Sequence, residues 1–460
     1  MMSSFSIVRA GLILHILIPA ATMGSRRQGP GRKKVSRYSE RLQMNFRYLI
    51  LCILVFSTLT GTAEEVRPTV FMKLSPGDLV VGSAGTPLEL LAANRNYRAY
   101  TIPPGTHRLR LSADGYTSKT LLLDVLDGMF VEEKLERAGS DLRFLGEYSS
   151  GRQPKSAEFS PDGRHLVVPL LGDRGIVLYS ADPFRYEMML PVPEPYASQF
   201  GFVESAFVPR TGELWVSQMT AGVVHVFDAG TWEWKGAYDT GGAWPKVITV
   251  SPDGRTCCVS NWISKTVSFL DSETGRILAR VPMGGIPRGM VFSGDGRRLY
   301  VCLFDTGDID VIDCRRYEVA DTLRLGPGAA RHIATDGPCE TLYVTDMYNG
   351  TVTSLSMATG AVLRKRFVGA NPNTLALTPD GSRVLVSVRG RNNRETYLRE
   401  GPEYGRIVML DAKTLDILDW TWGRNQPTGL AVSPDGRILA FTDFLDASVE
   451  VYRFSGQDNH

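Results

Sequence analysis

The chain is poor in the residues that hold metals and cofactors. Histidine and cysteine each occur only six times in 460 residues. There is no C-x-x-C pair for zinc and no C-x-x-C-H for covalent haem. His107, His165, His225 and His332 are scattered without ligand spacing, so neither a metal centre nor a cofactor is expected. An excess of one charge is also missing. Lys and Arg total 51 against 49 Asp and Glu, a net charge of +2, which argues against a dedicated nucleic-acid binder. No strong disulfide framework is visible. Removal of a leader leaves Cys257, Cys258, Cys302, Cys314 and Cys339, an odd set with at least one unpaired thiol. Cys257 and Cys258 read as small apolar residues on opposite faces of one strand rather than as a vicinal bridge. A Cys314–Cys339 bridge is geometrically conceivable.

Turn formers and aromatics are plentiful, with 46 Gly, 26 Pro, 17 Tyr and 19 Phe. With 43% hydrophobic and 22% charged residues, the composition is that of a globular, turn-rich all-β protein. The first 63 residues stand apart. Met44-Asn45-Phe46-Arg47 precedes an apolar run over 48–59 and then Thr60-Gly61-Thr62-Ala63. A basic residue, an apolar core and small residues before the break make a signal peptide, with cleavage expected after Ala63. Upstream of it, either Met44 is the true start, or the apolar stretch at 12–21 is an extra segment too short to span a bilayer. No membrane span is expected after cleavage.

A small β domain is expected over 66–138. Val70-Phe71-Met72-Lys73-Leu74 alternates, as does the run from His107 to Ser112, with Leu109 and Leu111 facing in and Arg108 and Arg110 out. Asp114-Gly115-Tyr116 turns the chain. Gly105, the alternating strand and Gly115-Tyr116 resemble the PEGA domain. That resemblance implies a small β-sandwich that accessorises an envelope protein and catalyses nothing, with Tyr116 in its core or corner.

From 142 to 455 the sequence repeats with a period of roughly 42 residues. Ser160-Pro161-Asp162-Gly163, Ser251-Pro252-Asp253-Gly254, Ser293-Gly294-Asp295-Gly296, Thr378-Pro379-Asp380-Gly381 and Ser433-Pro434-Asp435-Gly436 each sit between two strands. Asp253-Gly254 is expected to supply the two positive-φ residues of a short hairpin. A third strand follows each pair, often ending in Asp, as at Asp228, Asp271, Asp313 and Asp411. About seven four-stranded copies is the arithmetic of a β-propeller. The last copy stops after three strands, and the segment around Phe144 is expected to supply the fourth, joining the ends of the ring. Leu342-Tyr343-Val344-Thr345-Asp346, continued by Asn349-Gly350-Thr351-Val352, resembles the YVTN repeat, as does Val259-Ser260-Asn261 with Thr266-Val267. The resemblance implies a seven-bladed β-propeller of an exported protein. YVTN relatives are diverse in function and include binding proteins, lactonases and redox subunits.

Aligning the repeats puts Lys155, Lys246, Arg288, Arg331, Asn373 and Thr428 at one position near the start of each first strand, with Val203 or Glu204 in the second copy. Most of that ring is cationic, which suits a carboxylate, a phosphate or an acidic loop. The bland counterpart is a solvated rim paired with nearby acids. The loops after the second strands carry Trp262, Phe304, Tyr348, Tyr397 and Phe444, either as ligand contacts beside the cations or as packing between blades. The insertion at 389–405 is long and charged and is placed to cover the channel or meet a partner. Ser217, Ser260, Thr345, Ser387 and Thr442 share one strand position and read as structural hydroxyls bonding inside each blade.

These features point to an exported, non-enzymatic binding or scaffold protein, monomeric, whose propeller face takes an envelope protein or a small anionic ligand. The ligand contacts expected are Lys155, Lys246, Arg288, Arg331, Asn373, Trp262 and Tyr348. A second reading is enzymatic. Gly328-Ala329-Ala330-Arg331-His332 resembles the Gly-Pro-Arg-His segment of propeller lactonases, implying hydrolysis by Arg331 and His332, with Ala330 replacing the proline. A redox subunit is a third reading.

Overall fold

The computed structural model describes residues 4–9, 12–17, 69–83, 88–93, 97–125 and 129–455, so the leader reading at 44–63 lies outside it. Ser4–Arg9 pairs antiparallel with Leu12–Leu17 as a two-stranded hairpin within a separate unit, 1–67. Among the described residues there is no helix, and hence none long and apolar enough to cross a membrane.

Residues 69–134 form two sheets around one core. Glu89–Ala93, Tyr97–Thr101, Thr69–Ser75 and Met129–Lys134 make a four-stranded sheet. Val80–Ser83, Gly105–Ser112 and Lys119–Val125 make a three-stranded one. Val70, Met72, Leu74, Leu109, Leu111, Leu121, Leu123 and Val125 pack between them, which is what strict alternation along each strand dictates. Tyr116 packs against this core. Two strands are new relative to the sequence reading. Val80–Ser83 is four residues long, and Glu89–Ala93 is exposed at every position, so neither shows alternation.

From 142 onwards the chain folds into seven four-stranded antiparallel sheets. Six follow chain order, beginning at Glu158–Phe159, Phe202–Val208, Pro245–Val250, Pro287–Phe292, Ala330–Thr335 and Pro372–Leu377; we call them sheets one to six. Sheet seven consists of Pro427–Val432, Ile438–Asp443, Ser448–Phe454 and, from the other end of the repeats, Leu142–Ser149. Phe144 stands opposite Tyr452 and Tyr148 opposite Val449, so the expected joining of the ends is present. Each apolar cluster is shared between consecutive sheets. Phe207 and Val216 of sheet two pack with Val167 and Leu178 of sheet one, and Ala440 and Val449 of sheet seven pack with Leu166 and Val177 of sheet one. A pleated sheet with two apolar faces is stable only between two neighbours, and a closed ring gives every sheet both. The first strands line the centre, where they leave a cavity of ≈ 350 Å³.

The Ser-Pro-Asp-Gly turns differ from the expected hairpin geometry. Gly254 has φ +72°, but Asp253 is not among the positive-φ residues. Gly254 N–H donates to the Ser251 carbonyl at 2.8 Å, so Pro252 and Asp253 occupy the centre of a turn whose first φ the proline ring presets. The aspartate serves through its side chain instead, accepting from the Ser251 hydroxyl at 2.7 Å and the Arg255 N–H at 3.0 Å. Third-strand aspartates act similarly: Asp271 accepts the N–H groups of Glu273 and Thr274 at 3.1 and 2.9 Å.

The 69–134 region docks on sheet seven and its neighbour through charge. Lys134 pairs with buried Glu450 and stands 5.2 Å from the Tyr452 ring centroid. Arg137 reaches Asp419 at 2.5 Å and lies 4.4 Å from the Trp420 ring centroid. Lys73 stands 3.5 Å from Glu147, which also pairs with Arg424 of the repeat region. All five cysteines named above are free. Burial holds the Cys257, Cys258 and Cys302 thiols far above their usual range and pushes Cys314 up to about 12, so these sulfurs are protonated and inert.

Candidate functional site

Every first strand enters the centre at its N-terminal end. Lys155, Lys246, Arg288, Arg331, Asn373 and Thr428 are all buried there. In sheet two Val203 fills the equivalent position. The Glu204 N–H bonds the Ser217 hydroxyl as Val247, His332, Thr374 and Gly429 bond Ser260, Thr345, Ser387 and Thr442, so Glu204 is one step further in.

The shared hydroxyls do more than bond within a sheet. Ser217 Oγ donates to the Lys246 carbonyl at 2.7 Å, Thr345 Oγ1 to Asn373 at 2.9 Å and Ser387 Oγ to Thr428 at 2.8 Å. These three hydroxyls therefore accept from their own sheet and donate to the next, at the carbonyl of the ring residue, whereas Ser260 Oγ turns back to the Val247 carbonyl of its own sheet at 3.5 Å. Cys302 occupies the same place in sheet four, where a sulfur replaces the hydroxyl.

The ring cations face one another. Arg389, Arg331, Arg288 and Lys246 all act on Lys155, whose pKa burial and these four charges hold well below the lysine range. Burial, then Arg288 and Arg331, lower Lys246 to about 6. Arg288 is depressed by burial and Arg331. Arg389, at the start of the insertion, is lowered to about 10 by burial and Arg331. Like charges are this costly only when packed together away from water.

Few polar partners relieve them. Arg331 is 2% exposed, and its Nη1 and Nη2 have no hydrogen-bond acceptor among the described residues. Arg288 Nε and Nη1 and Arg389 Nε are likewise unpaired. The acid nearest the ring is Glu204, whose Oε1 lies 3.8 Å from Arg331 Nη2, too long for a hydrogen bond. Aromatic faces hold the cations instead. Arg288 lies 5.3 Å from the Trp262 centroid, Lys246 5.3 Å from Trp244 and Lys155 5.2 Å from Phe444. Arg389 lies 5.6 Å from Tyr397 and 5.3 Å from Phe444. Trp262 and Phe304 also meet each other at 5.0 Å. The insertion thus leans over the mouth: Tyr397 is 6.4 Å from Phe444, and its carbonyl accepts from Gln426 at 2.6 Å.

Of the ligand contacts expected from sequence, the structure brings together Lys155, Lys246, Arg288, Arg331 and Trp262. Asn373 joins them on the ring, while Tyr348 is 80% exposed and stacks on none of the cations. Arg389 was missed because it lies after a second strand rather than at the aligned position. Its signal was the insertion that it begins. His332 is lowered to about 3 by burial, then Arg331 and Arg288, which leaves the imidazole a weak base at neutral pH and a poor match for hydrolysis. Among the described residues no group of His, Cys, Asp and Glu is arranged to hold a metal.

The chain is 34% identical over 359 residues to Antigen Lp49 of Leptospira interrogans, covering 76% of this chain and 78% of that protein. The chain belongs to the Lp49 family. It is also 28% identical over 197 residues to Protein NirF of Pseudomonas aeruginosa, covering 39% of this chain and 47% of NirF. Among solved structures, hydrazine synthase of Kuenenia stuttgartiensis superposes with a TM-score of 0.57 at 19% identity, covering 66% of this chain and 97% of that one. That likeness supports a β-propeller-like fold for this Lp49 relative and carries nothing about chemistry. No family model matches the chain.

Proposed function

We propose that the protein is an exported, non-enzymatic binding protein that captures a small anionic ligand at the mouth of its central channel. In this reading the seven sheets are the blades of a YVTN-type propeller over 142–455. Residues 66–138 are a PEGA-like accessory module, and 1–63 hold the leader. Export is supported by the signal-like segment ending at Ala63 and by kinship with a protein named as an antigen.

One observation carries the binding role. Lys155, Lys246, Arg288, Arg331 and Arg389 are buried together with unpaired guanidinium N–H groups facing one loosely placed acid. A buried charge without a partner is costly, and folds retain such an arrangement where a ligand supplies the missing half. The cations are too occluded to meet a broad protein face, which favours a small anion over an envelope partner.

Isothermal titration of the full chain with anions such as succinate, citrate and pyrophosphate tests this. Binding is expected, and Lys246→Glu combined with Arg288→Glu should abolish it. An absence of heat with every anion, in a protein that remains folded, would sink the reading.

A further inference from the structure

We infer that the site selects anions carrying two or more negative charges, and that Glu204 is an internal placeholder which such a ligand displaces from Arg331. The inference rests on the anion-binding reading above and specifies the class of ligand.

The donor geometry sets the charge required. Arg331 presents both terminal nitrogens unpaired, Arg288 presents Nε and Nη1, and Arg389 adds Nε. The Arg331 pair matches the two-pronged grip of a guanidinium on a carboxylate or phosphate, and Arg288 adds two single donors on different edges of its guanidinium. A single acid group with two oxygens satisfies the Arg331 pair and leaves the Arg288 donors without an acceptor. Two acid groups, or a phosphate with three free oxygens, engage both. The two ammonium groups add demand. Burial first, and then the neighbouring cations, hold the pKa values of Lys155 and Lys246 low, and an arriving polyanion favours the protonated form of each.

The aromatic faces serve the cations. Trp262, Trp244, Phe444 and Tyr397 are already covered by the protein's own cations. They hold the charges in place, while Trp244 and Tyr397 remain 42% and 47% exposed. The unpaired donors at the centre of the ring are all guanidinium N–H groups, and charge is what they select.

Glu204 tempers the repulsion within the ring. It lines the central cavity and stands at 3.8 Å from Arg331. It also acts on Lys246, raising what burial, Arg288 and Arg331 lower. A direct hydrogen bond would make it a permanent partner that an anion has to break. At its actual distance it softens the repulsion and yields to a ligand.

The test uses titration calorimetry on the full chain at pH 7 and fixed ionic strength. One arm compares acetate, succinate and tricarballylate; the other compares inorganic phosphate and pyrophosphate. Affinity is expected to rise by roughly tenfold with each added charged group in whichever arm contains the ligand chemistry. Glu204→Gln, which keeps the shape and removes the charge, is expected to tighten polyanion binding by roughly tenfold. Anions that bind equally whatever their charge overturn the inference and leave the anion reading standing, as does a Glu204→Gln variant whose polyanion affinity is unchanged or weaker. If no anion binds, the anion reading itself falls and this inference falls with it.

Discussion

The Ser217 hydroxyl donates to the Lys246 carbonyl at 2.7 Å, across the boundary between sheets two and three. The contact fixes the backbone of the residue whose ammonium group enters the ring. Structure and site are coupled through a single side-chain oxygen. Ser217→Ala removes the donor and leaves a buried carbonyl unpaired, at a cost of about 1–3 kcal/mol. Urea unfolding should show that loss, and anion affinity should fall with it. Ser217→Thr, which retains the hydroxyl, should show neither.

Cys302 is where the same device is absent. In sheets two, five and six a hydroxyl at this position donates to the ring carbonyl of the next sheet; here the corresponding carbonyl belongs to Arg331. Cys302→Ser is expected to restore the bond and stabilise the protein by about 1 kcal/mol. The thermal midpoint should rise. A fall would mean that the pocket is shaped for sulfur.

Gly289 follows Arg288, where sheets four and five approach closely. A Cβ there would stand 2.8 Å from His332 Cα and 2.9 Å from Ile333 N, both backbone atoms. Gly289→Ala must push the two first strands apart, costing about 1–3 kcal/mol. Gly236→Ala, with nothing within 4 Å of the added carbon, is the control and should be neutral or stabilising in the same chemical denaturation.

Lys246 gives the protein a pH dependence of definite sign. Its pKa is lowered from 10.5 to about 6 on folding, by burial first and then by Arg288 and Arg331, against Glu204. Met219, Trp244 and Trp262 complete its surroundings. Between those two values the unfolded chain holds a proton that the folded one lacks, so this group favours folding more as pH rises. Lys246→Met should therefore stabilise the ligand-free protein most at pH 6 and below, with the gain vanishing above pH 10.5. Thermal melts of both proteins across this range give the difference directly. A gain that grows with pH would contradict the assignment.

At the docking surface, Lys134→Met leaves Glu450 buried without its ammonium partner. Breaking a buried pair in this way costs roughly 3 kcal/mol. The midpoint of urea unfolding should fall accordingly, while the anion site, formed at the ring mouth, should keep its affinity in the folded protein.

The repeats were readable because each turn needs the same chemistry: Gly254 for its positive φ, Pro252 for its preset φ and Asp253 for its carboxylate. The aligned ring was readable for the same reason, since equivalent positions in a repeat become neighbours around an axis. What alignment could not show is what enters from elsewhere. Arg389 reaches the ring from an insertion with no counterpart in the other copies. Glu204 belongs one step deeper than Val203, a choice fixed by the bond to Ser217 and not by spacing. Glu89–Ala93 was missed because a fully exposed edge strand has no apolar alternation to read. The bonds between sheets at Ser217, Thr345 and Ser387 were seen as hydroxyls of one blade because sequence shows periodicity within a repeat and not which neighbour lies across the boundary.

Sheet seven joins three strands from the C-terminal end of the repeat region to one from its start, and this sets the timing of assembly. While a ribosome is still adding residues, Leu142–Ser149 is an orphan edge, its N–H and C=O groups open to any passing strand until Ser448–Phe454 has emerged. Chain termination ahead of that segment would leave two sticky borders in place of a seam, and such products should be recognised by chaperones and proteases rather than accumulate as a shorter working protein.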